Sequence, residues 1–211
     1  MALTLFQLQA RLRRRFGGRT DIDTQIVDAL NDAIIELEEG PVMPWFLMED
    51  KQDLVVSANT NSVALPSDFL VESQEVDSTY YRDSSNRWRA LAKDTLSALI
   101  RADMGTAETP SHYALSGTLL YVFPTPTKET TLRLIYFRRS EILDPDANEI
   151  NEWTEYAPLL VMTRAGARLA QELRYADVRT EFESEFVTRY DNLRRMNIAR
   201  EQANLDMPMG E

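Results

Sequence analysis

Apolar residues follow a helical spacing near both ends of this chain, whereas β-branched and aromatic runs separated by turn residues fill its middle. Apolar residues three and four positions apart predict amphipathic helices, and short β-branched runs predict strands. Each amphipathic helix has to bury its apolar face, so we expect the helices from the two ends to pack on one another. This order predicts an α+β fold, in which a helical bundle formed by the N- and C-terminal helices carries a β-rich insertion.

The change in periodicity also predicts where each segment begins and ends. Residues 1–52 are expected to form the N-terminal helices of the bundle, and residues 140–200 the C-terminal helices that complete it. Residues 53–139 form the predicted β-rich insertion with one short helix, and residues 201–211 a flexible tail. A chain of 211 residues can bury one substantial core, or one core and a smaller unit.

Two helices are predicted in the first forty residues. The first spans Thr4 to Arg15 and is followed by Gly17-Gly18, which can end a helix in a left-handed conformation. The second is expected to follow Asp21, a suitable N-cap residue, and to end before Gly40. The segment from Pro44 to Met48 is a compact apolar cluster that we expect to fill part of a core.

The β-rich segment contains two apolar runs that a short loop joins. Leu119–Phe123 and Leu132–Phe137 flank a proline-containing turn, which predicts a β-hairpin. The second run has apolar residues on both faces, more than a small isolated sheet would bury, which favours contact with another subunit. A short helix is predicted between Asp94 and Met104. The residues assigned to the subunit interface are Leu132, Leu134, Tyr136 and Phe137.

The longest helices are predicted after residue 152. One spans Trp153 to Arg174, with Pro158 tolerated because it falls near the first turn, and the next runs from Ala176 to about Arg200. Small residues around Gly166 allow a neighbouring helix to approach closely. An aromatic and apolar stripe on the last helix is expected to face inward, and it consists of Phe182, Phe186, Arg189, Tyr190, Leu193 and Met196.

Residue types exclude several kinds of chemistry. There is no cysteine, which removes disulfides, thiolate metal sites and cysteine nucleophiles, and His112 is the single histidine. No glycine-rich phosphate loop occurs. A net charge of −11 argues against a dedicated DNA-binding protein, and no apolar run is long enough to cross a bilayer. We therefore predict no catalytic residue, no cofactor and no metal, and a structural role that is not enzymatic.

One basic cluster stands out at the end of the first predicted helix. Its arginines could face DNA phosphates or an acidic patch on a partner. They could equally form a solvated helix face that complements the helix dipole. The residues of this cluster are Arg11, Arg13, Arg14, Arg15 and Arg19.

Acidic residues offer two weaker candidates. Asp28, Asp32 and Glu36 line one side of the second helix, where a solvated face or a match to the arginine cluster is preferred to a metal site. The oxygen spacing of Asp144, Asp146 and Asn148, with Glu155 eleven residues after Asp144, is similar to a calcium loop, but Glu149 takes the place of the required glycine. We prefer a turn that delivers Asn151 as a helix cap.

The whole pattern resembles the head-to-tail adaptor proteins of tailed bacteriophages. The resemblance begins with the first helix, Ala29-Leu30-Asn31-Asp32-Ala33 and Trp45. It continues through Leu65-Pro66-Ser67-Asp68-Phe69-Leu70, Pro110 to Gly117 and Thr131 to Arg139, and it ends with the two closing helices. The order of these segments carries the resemblance, which covers nearly the whole chain.

The resemblance implies a structural virion protein and no enzyme. Such a protein forms a homo-oligomeric ring, commonly of twelve subunits, that docks on the portal protein in the neck of the virion. The ring extends the channel through which genomic DNA passes without sequence-specific binding, and it is a platform for tail nozzle or fibre proteins. The portal-binding residues that the resemblance implies are Ala199, Arg200, Asn204, Leu205 and Met207.

Two other functions are open at this point. One is a different phage tail completion or assembly protein, which would take another position in the particle. The other is a hydrolase that uses Asp144 and Glu155 as general acid and base, since paired carboxylates can do this work. His112 lies beside Pro110 and Tyr113 with no partnered nucleophile in view, which favours a plain strand or loop residue over a catalytic base.

Overall fold

The computed structural model describes residues 2–47, 49–73, 78–146 and 149–205, the side chains of Glu49 and of residues 200–205 excepted. The chain divides into two compact units. The helical unit comprises residues 1–48 and 140–211, and the β unit comprises Glu49–Arg139. The predicted α+β fold, with terminal helices on either side of a β-rich middle, is confirmed.

The described residues of the helical unit form five helices. The first two precede the β unit in the chain, and the other three follow it. They are α1 (Leu5–Arg15), α2 (Asp23–Glu38), α4 (Glu152–Tyr156), α5 (Pro158–Glu172) and α6 (Ala176–Leu205).

The start of α1 is set by a reciprocal cap. The Thr4 hydroxyl accepts a hydrogen bond from the Gln7 backbone N–H, and the Gln7 side chain accepts one from the Thr4 N–H. Gly17 and Gly18 follow the helix with φ of 75° and 80°, a conformation that glycine adopts without strain. The predicted first helix is therefore confirmed, with Thr4 as its cap and not its first residue.

The second helix starts differently from its prediction. Its N-cap is Ile22, which makes no side-chain capping bond, and Asp21 pairs with Arg19 instead. The prediction of Asp21 as the cap is wrong, because the nearby guanidinium takes up the carboxylate that would have capped the helix. The buried face of α2 does follow the predicted spacing, from Ile26 to Leu37.

The predicted helix from Trp153 to Arg174 is two helices. Ala157, with φ of −133°, separates α4 from α5, and Pro158 is the first residue of α5. The residue before a proline is disfavoured in the helical conformation, which accounts for the break. Asn151 caps α4 through a reciprocal pair of hydrogen bonds with Thr154, as predicted.

Close packing of α5 on α6 centres on Gly166. A Cβ built on this glycine would lie 2.6 Å from the ring of Phe182, so only glycine allows that ring to sit here. Phe182 is 1% exposed. The predicted close approach of the two helices is confirmed, whereas Met196 at the far end of the predicted stripe is 53% exposed.

In the part of the β unit that the structure describes there are two larger sheets, a two-stranded sheet and one helix, α3 (Leu96–Ala102). The first sheet has the order β1-β11-β4-β5, with β3 also paired to β11, and the second has the order β2-β9-β8-β6. The strands are β1 (Glu49–Val56), β2 (Ser62–Ala64), β3 (Phe69–Glu72), β4 (Thr79–Arg82), β5 (Trp88–Ala90), β6 (Ala92–Lys93), β7 (Thr106–Ala107), β8 (His112–Ser116), β9 (Leu119–Phe123), β10 (Thr125–Pro126) and β11 (Thr130–Arg138).

The predicted hairpin between Leu119–Phe123 and Leu132–Phe137 is wrong. β9 pairs with β8 through a tight turn at Gly117, and β11 pairs along its whole length with β1. The connecting residues Thr125–Pro126 form β10, which pairs with β7 and not with a neighbour in the chain. The two apolar runs therefore belong to different sheets, whose facing side chains share one core.

Candidate functional site

The arginine cluster of α1 is largely used within the chain. Arg13 forms a two-pronged ion pair with Asp23, with its Nε 2.9 Å from Oδ1. Arg15 pairs with Glu185 and Glu181 of α6, and its guanidinium carbon lies 5.1 Å from the centre of the Phe182 ring.

These contacts tie α1 to α2 and α6. With Arg19 bound to Asp21, three of the five predicted partner-facing arginines have intramolecular partners. Arg14 is exposed and donates to the carbonyl of Ala10, and Arg11 lines a cavity described below. The assignment of the cluster to DNA or a partner stays a prediction, with Arg11 and Arg14 as its accessible members.

The acidic face of α2 meets a second set of arginines. Glu36 pairs with Arg164 of α5, whose Nε lies 2.8 Å from Oε2, and Asp32 pairs with Arg168. The hydrogen bonds from Arg164, with the nearby charge of Arg168, hold the pKa of Glu36 below its usual range. These carboxylates match arginines of α5 and not those of α1.

The described part of the turn after Asp144 contains a local hydrogen bond. The Asp146 N–H donates to the Asp144 carboxylate over 2.8 Å, which is a local turn bond, and Asn148 lies outside the described residues. Glu155 lies in the first turn of α4. Within the described ranges, no three histidine, aspartate or glutamate side chains gather in a way that could hold a metal ion.

A polar cluster inside the β unit has the residue types of a reactive site. The hydroxyls of Ser78 and Tyr113 lie 2.7 Å apart, and each donates to the Glu72 carboxylate, over 3.2 and 3.0 Å. Lys93 completes the group as an ion-pair partner of Glu72. Ser78 and Tyr113 are 3% and 2% exposed, so these hydroxyls join strands of the two sheets and are not presented to a substrate.

His112 lies on β8 and its Nδ1 is 2.8 Å from the hydroxyl of the preceding Ser111. Both residues lie at the start of the strand, and the backbone of Ser111 bonds to Phe123 and Ala92. This contact agrees with the interpretation of His112 as a strand residue.

The strand predicted to form a subunit interface occupies the centre of its own sheet. Leu132, Leu134 and Tyr136 are 2% exposed or less, and they pack between the two sheets. Burial raises the pKa of Tyr136 to about 12, to which a 3.0 Å hydrogen bond with Asp68 contributes. Their apolar surface is therefore used within the unit. Phe137 is partly exposed, and a role for this strand between subunits stays a prediction.

The helical unit has an open cavity of about 490 Å³. One wall is aromatic: the Trp45 ring meets Tyr156 edge-on at 5.1 Å, and Phe46 stacks on Tyr156 at 5.4 Å. Two arginines, Arg11 and Arg189, also line it. The remaining lining residues are Leu3, Ala157, Pro158, Leu159, Leu160, Asn192, Leu193 and Met196.

Asn197 of α6 fixes the aromatic wall. Its Oδ1 accepts a 2.9 Å hydrogen bond from the Trp45 N–H, and its Nδ2 donates to the carbonyl of Met43. Asn197 is 7% exposed. Sequence reasoning missed this residue, because an asparagine on a polar helix carries no signal until the partner loop is known.

Glu38 was missed in the same way. This carboxylate is 5% exposed and accepts hydrogen bonds from Trp153 Nε1, over 3.2 Å, and from the Ser140 N–H, over 2.9 Å. Because it lies at the end of α2 next to Glu39, the sequence indicated an acidic residue exposed to solvent.

The last helix carries the predicted portal-binding residues. Ala199 is exposed on α6, and the backbone of Arg200, Asn204 and Leu205 continues the helix to its end. Met207 lies outside the described residues. Asn197 of this helix is buried, and Ile198 and Ala199 after it are exposed.

In a comparison with protein-family models, residues 3–208 of the sequence match the model of the SU10 adaptor protein family. The chain belongs to this family. The match spans both units and nearly the whole sequence, and it confirms the predicted resemblance to phage adaptor proteins. A search of curated proteins finds no match.

Membership of this family identifies the chain as a phage adaptor protein, which is a structural protein. Adaptors work by contact with other phage structural proteins. No helix in the described part of the chain has the length and apolar character needed to span a membrane.

Proposed function

We propose that the chain is a subunit of a ring that docks on the portal, extends the DNA channel and is a platform for tail proteins. The observation that carries this proposal is the family match over residues 3–208, which includes the helices and the sheets alike. The ring has the symmetry of the portal, for which a dodecamer is expected, and its place is the neck of the virion. The chain is not an enzyme.

The charge of the chain suits a channel wall. Its net charge is −11, and DNA carries a dense array of phosphates. A wall of the same sign lets DNA pass without binding it. The ring therefore contacts genomic DNA only in passage. Arg14 is an exposed basic side chain of α1 that can meet either DNA or a neighbouring protein.

The end of α6 suits an axial contact. The helix continues from Asn197, which is buried, to Leu205, about 12 Å at 1.5 Å per residue. A partner would stabilise this end of the helix, because isolated helical segments of this length are marginal in water. The proposed partner is the portal, and Ala199, Arg200, Asn204, Leu205 and Met207 form the proposed contact.

The test is native mass spectrometry of the purified chain, alone and mixed with portal rings from the same genome. We expect a complex with one copy of the chain per portal subunit. A truncation after Asn197 should lose this complex and keep the circular dichroism of the rest of the chain. A chain that stays monomeric with portal rings contradicts the proposal and favours a tail completion protein that binds elsewhere.

A second measurement tests the absence of enzymatic activity. The double variant Asp144→Asn, Glu155→Gln should assemble with the portal as the natural chain does. Loss of a hydrolytic activity on cell-wall or nucleic-acid substrates in this variant would contradict a purely structural role.

A further inference from the structure

We infer that the cavity of the helical unit binds a segment of the portal protein that carries a carboxylate next to an aromatic or long aliphatic side chain. The apolar side chain enters the cavity, and the carboxylate pairs with Arg11 and Arg189. This inference rests on the proposed docking to the portal and adds the chemistry of one contact. It is separate from the end of α6, because the cavity involves α6 only up to Met196.

The first support is the size and composition of the cavity. At about 490 Å³ it falls within the range of pockets that enclose small ligands or a few side chains. Tyr156 and Met196, which both line it, are 51% and 53% exposed, so the cavity presents large apolar side chains to solvent. Exposed aromatic and methionine side chains are typical of surfaces that a partner covers.

The second support is the charge at the cavity. Several other arginines of the helical unit have close carboxylate partners, such as Asp23 for Arg13 and Glu36 for Arg164. Arg189 comes no closer than 4.0 Å to Glu185, a carboxylate that also binds Arg15.

The hydrogen-bonding capacity at the cavity is also incompletely used. The Nε of Arg189 is buried and has no hydrogen-bond partner among the described residues. Arg11 forms no ion pair with any side chain in the described ranges. Arg11 and Arg189 bring two positive charges to the lining of one cavity, and a carboxylate bound there would be attracted by both.

The third support is rigidity. Asn197 holds the backbone on both sides of Pro44, and Phe46 is locked by an edge-on contact with Trp153 at 5.1 Å. The aromatic wall is therefore formed before any ligand arrives. A preformed wall lowers the conformational entropy that binding has to overcome.

The apolar walls favour a peptide over nucleic acid. A phosphate backbone needs an open basic groove, and the chain as a whole is acidic, with a net charge of −11. A carboxylate with an attached apolar side chain uses the arginines and the aromatic wall together. The nucleic-acid alternative becomes one outcome of the test below.

The first experiment uses two small probes, indole-3-acetate and its uncharged amide, added to the full-length ¹⁵N-labelled chain. We expect the acid to shift the Nε1–H resonance of Trp45 and the Nε–H of Arg189, and to bind at least five times more tightly than the amide. The double variant Arg11→Gln, Arg189→Gln should weaken the acid at least fivefold and leave the amide unchanged. Equal binding of acid and amide, or no effect of the double variant, would overturn the inference.

The second experiment uses portal rings and a matched control. Arg194→Gln removes an exposed arginine of α6 that is not among the cavity residues. We expect the double variant to weaken portal binding at least tenfold and Arg194→Gln to leave it within twofold. Each variant is first checked for an unchanged melting temperature, and Met196→Ser, at an exposed position of the cavity edge, provides an independent change if the double variant unfolds.

The outcomes separate this inference from the proposed function. If the natural chain does not bind portal rings, the proposed docking fails, and with it the portal as the occupant. If the double variant binds the portal as the natural chain does, docking stands and the inference is wrong. The inference is also wrong if the double variant loses only self-association, which would assign the cavity to a second copy, or only binding to a single-stranded oligonucleotide.

Discussion

The buried polar groups of the two units have different kinds of hydrogen-bond partner. In the β unit, Ser78, Tyr113 and Glu72 satisfy one another inside a core that the facing sheets enclose. In the helical unit, Asn197 and Glu38 instead bind the backbone of neighbouring segments, and an aromatic cavity stays open beside Asn197. A closed polar network holds a scaffold rigid, whereas an open cavity with unpaired donors is suited to a partner.

This difference predicts that the two units contribute differently to stability and to partner binding. Changes to the core of either unit should lower the free energy of unfolding. Only changes to the helical unit's cavity should weaken partner binding without loss of stability. The following predictions test this division, beginning with the largest expected effect.

Phe182→Ala should have the largest effect on the helical unit. It removes a ring that is 1% exposed and packs on Gly166, so we expect the free energy of unfolding to fall by about 3–5 kcal/mol. Urea unfolding followed by the circular dichroism of the helices measures this change. Val187→Ala, at a position 60% exposed on the same helix, is the control and should change it by less than about 0.5 kcal/mol. Similar effects of the two variants would show that the contact with Gly166 does not hold α5 and α6 together.

Asn197→Ala should affect stability and binding together. Removing the side chain leaves the Trp45 N–H and the Met43 carbonyl without their partner, which costs about 1–3 kcal/mol for buried groups. The aromatic wall should loosen, and binding of indole-3-acetate should weaken. Fluorescence quenching of tryptophan by acrylamide should rise, with Trp88 of the β unit as an unchanged background. Unaltered probe binding in this variant would contradict a preformed wall.

Tyr113→Phe should affect stability alone. It removes the hydroxyl that links Ser78 and Glu72, and we expect a loss of about 1–2 kcal/mol in the β unit. Tyr121→Phe, on the neighbouring strand at a half-buried position, is the matched control and should change stability by less than about 0.5 kcal/mol. Portal binding should stay the same in both variants. A loss of portal binding in Tyr113→Phe would contradict the prediction that only the cavity of the helical unit affects partner binding without loss of stability.

Acidification should have the smallest effect. The pKa of Glu36 is lowered in the folded chain by Arg164 and Arg168, so this pair stabilises the fold fully at pH values above the usual carboxyl pKa of 4.5. The contribution is lost as the pH falls from about 4.5 through the lowered pKa. Because both side chains are 30–40% exposed, solvent screening limits it to about 0.2–1 kcal/mol. Glu36→Gln should reduce the difference in stability between pH 6 and pH 3 by this amount, and an unchanged difference would show that the pair contributes nothing.

The sequence predicted the helical unit better than the β unit, for a physical reason. Helical periodicity is local, so the buried faces of α1 and α2 and the close contact at Gly166 could be inferred from spacing. Strand pairing is not local. The pairing of β11 with β1 joins residues about eighty positions apart, and no turn signal between them reveals it.

The candidate sites show the same limit. Arg13 and Asp23 are ten residues apart, yet their pairing depends on the angle between α1 and α2. Arg164 and Glu36 are 128 residues apart, and nothing in either segment indicates the other. The cavity brings together side chains from four separate segments, including Arg11, Trp45, Tyr156 and Arg189. Resemblance to a family predicted the function where individual motifs did not.

The proposed ring on the portal is tested most directly by cryo-electron microscopy of portal rings mixed with the purified chain. We expect a second ring, coaxial with the portal and with one copy of this chain per portal subunit. A map in which the portal is bare, or in which the chain binds without ring symmetry, would contradict the proposed function.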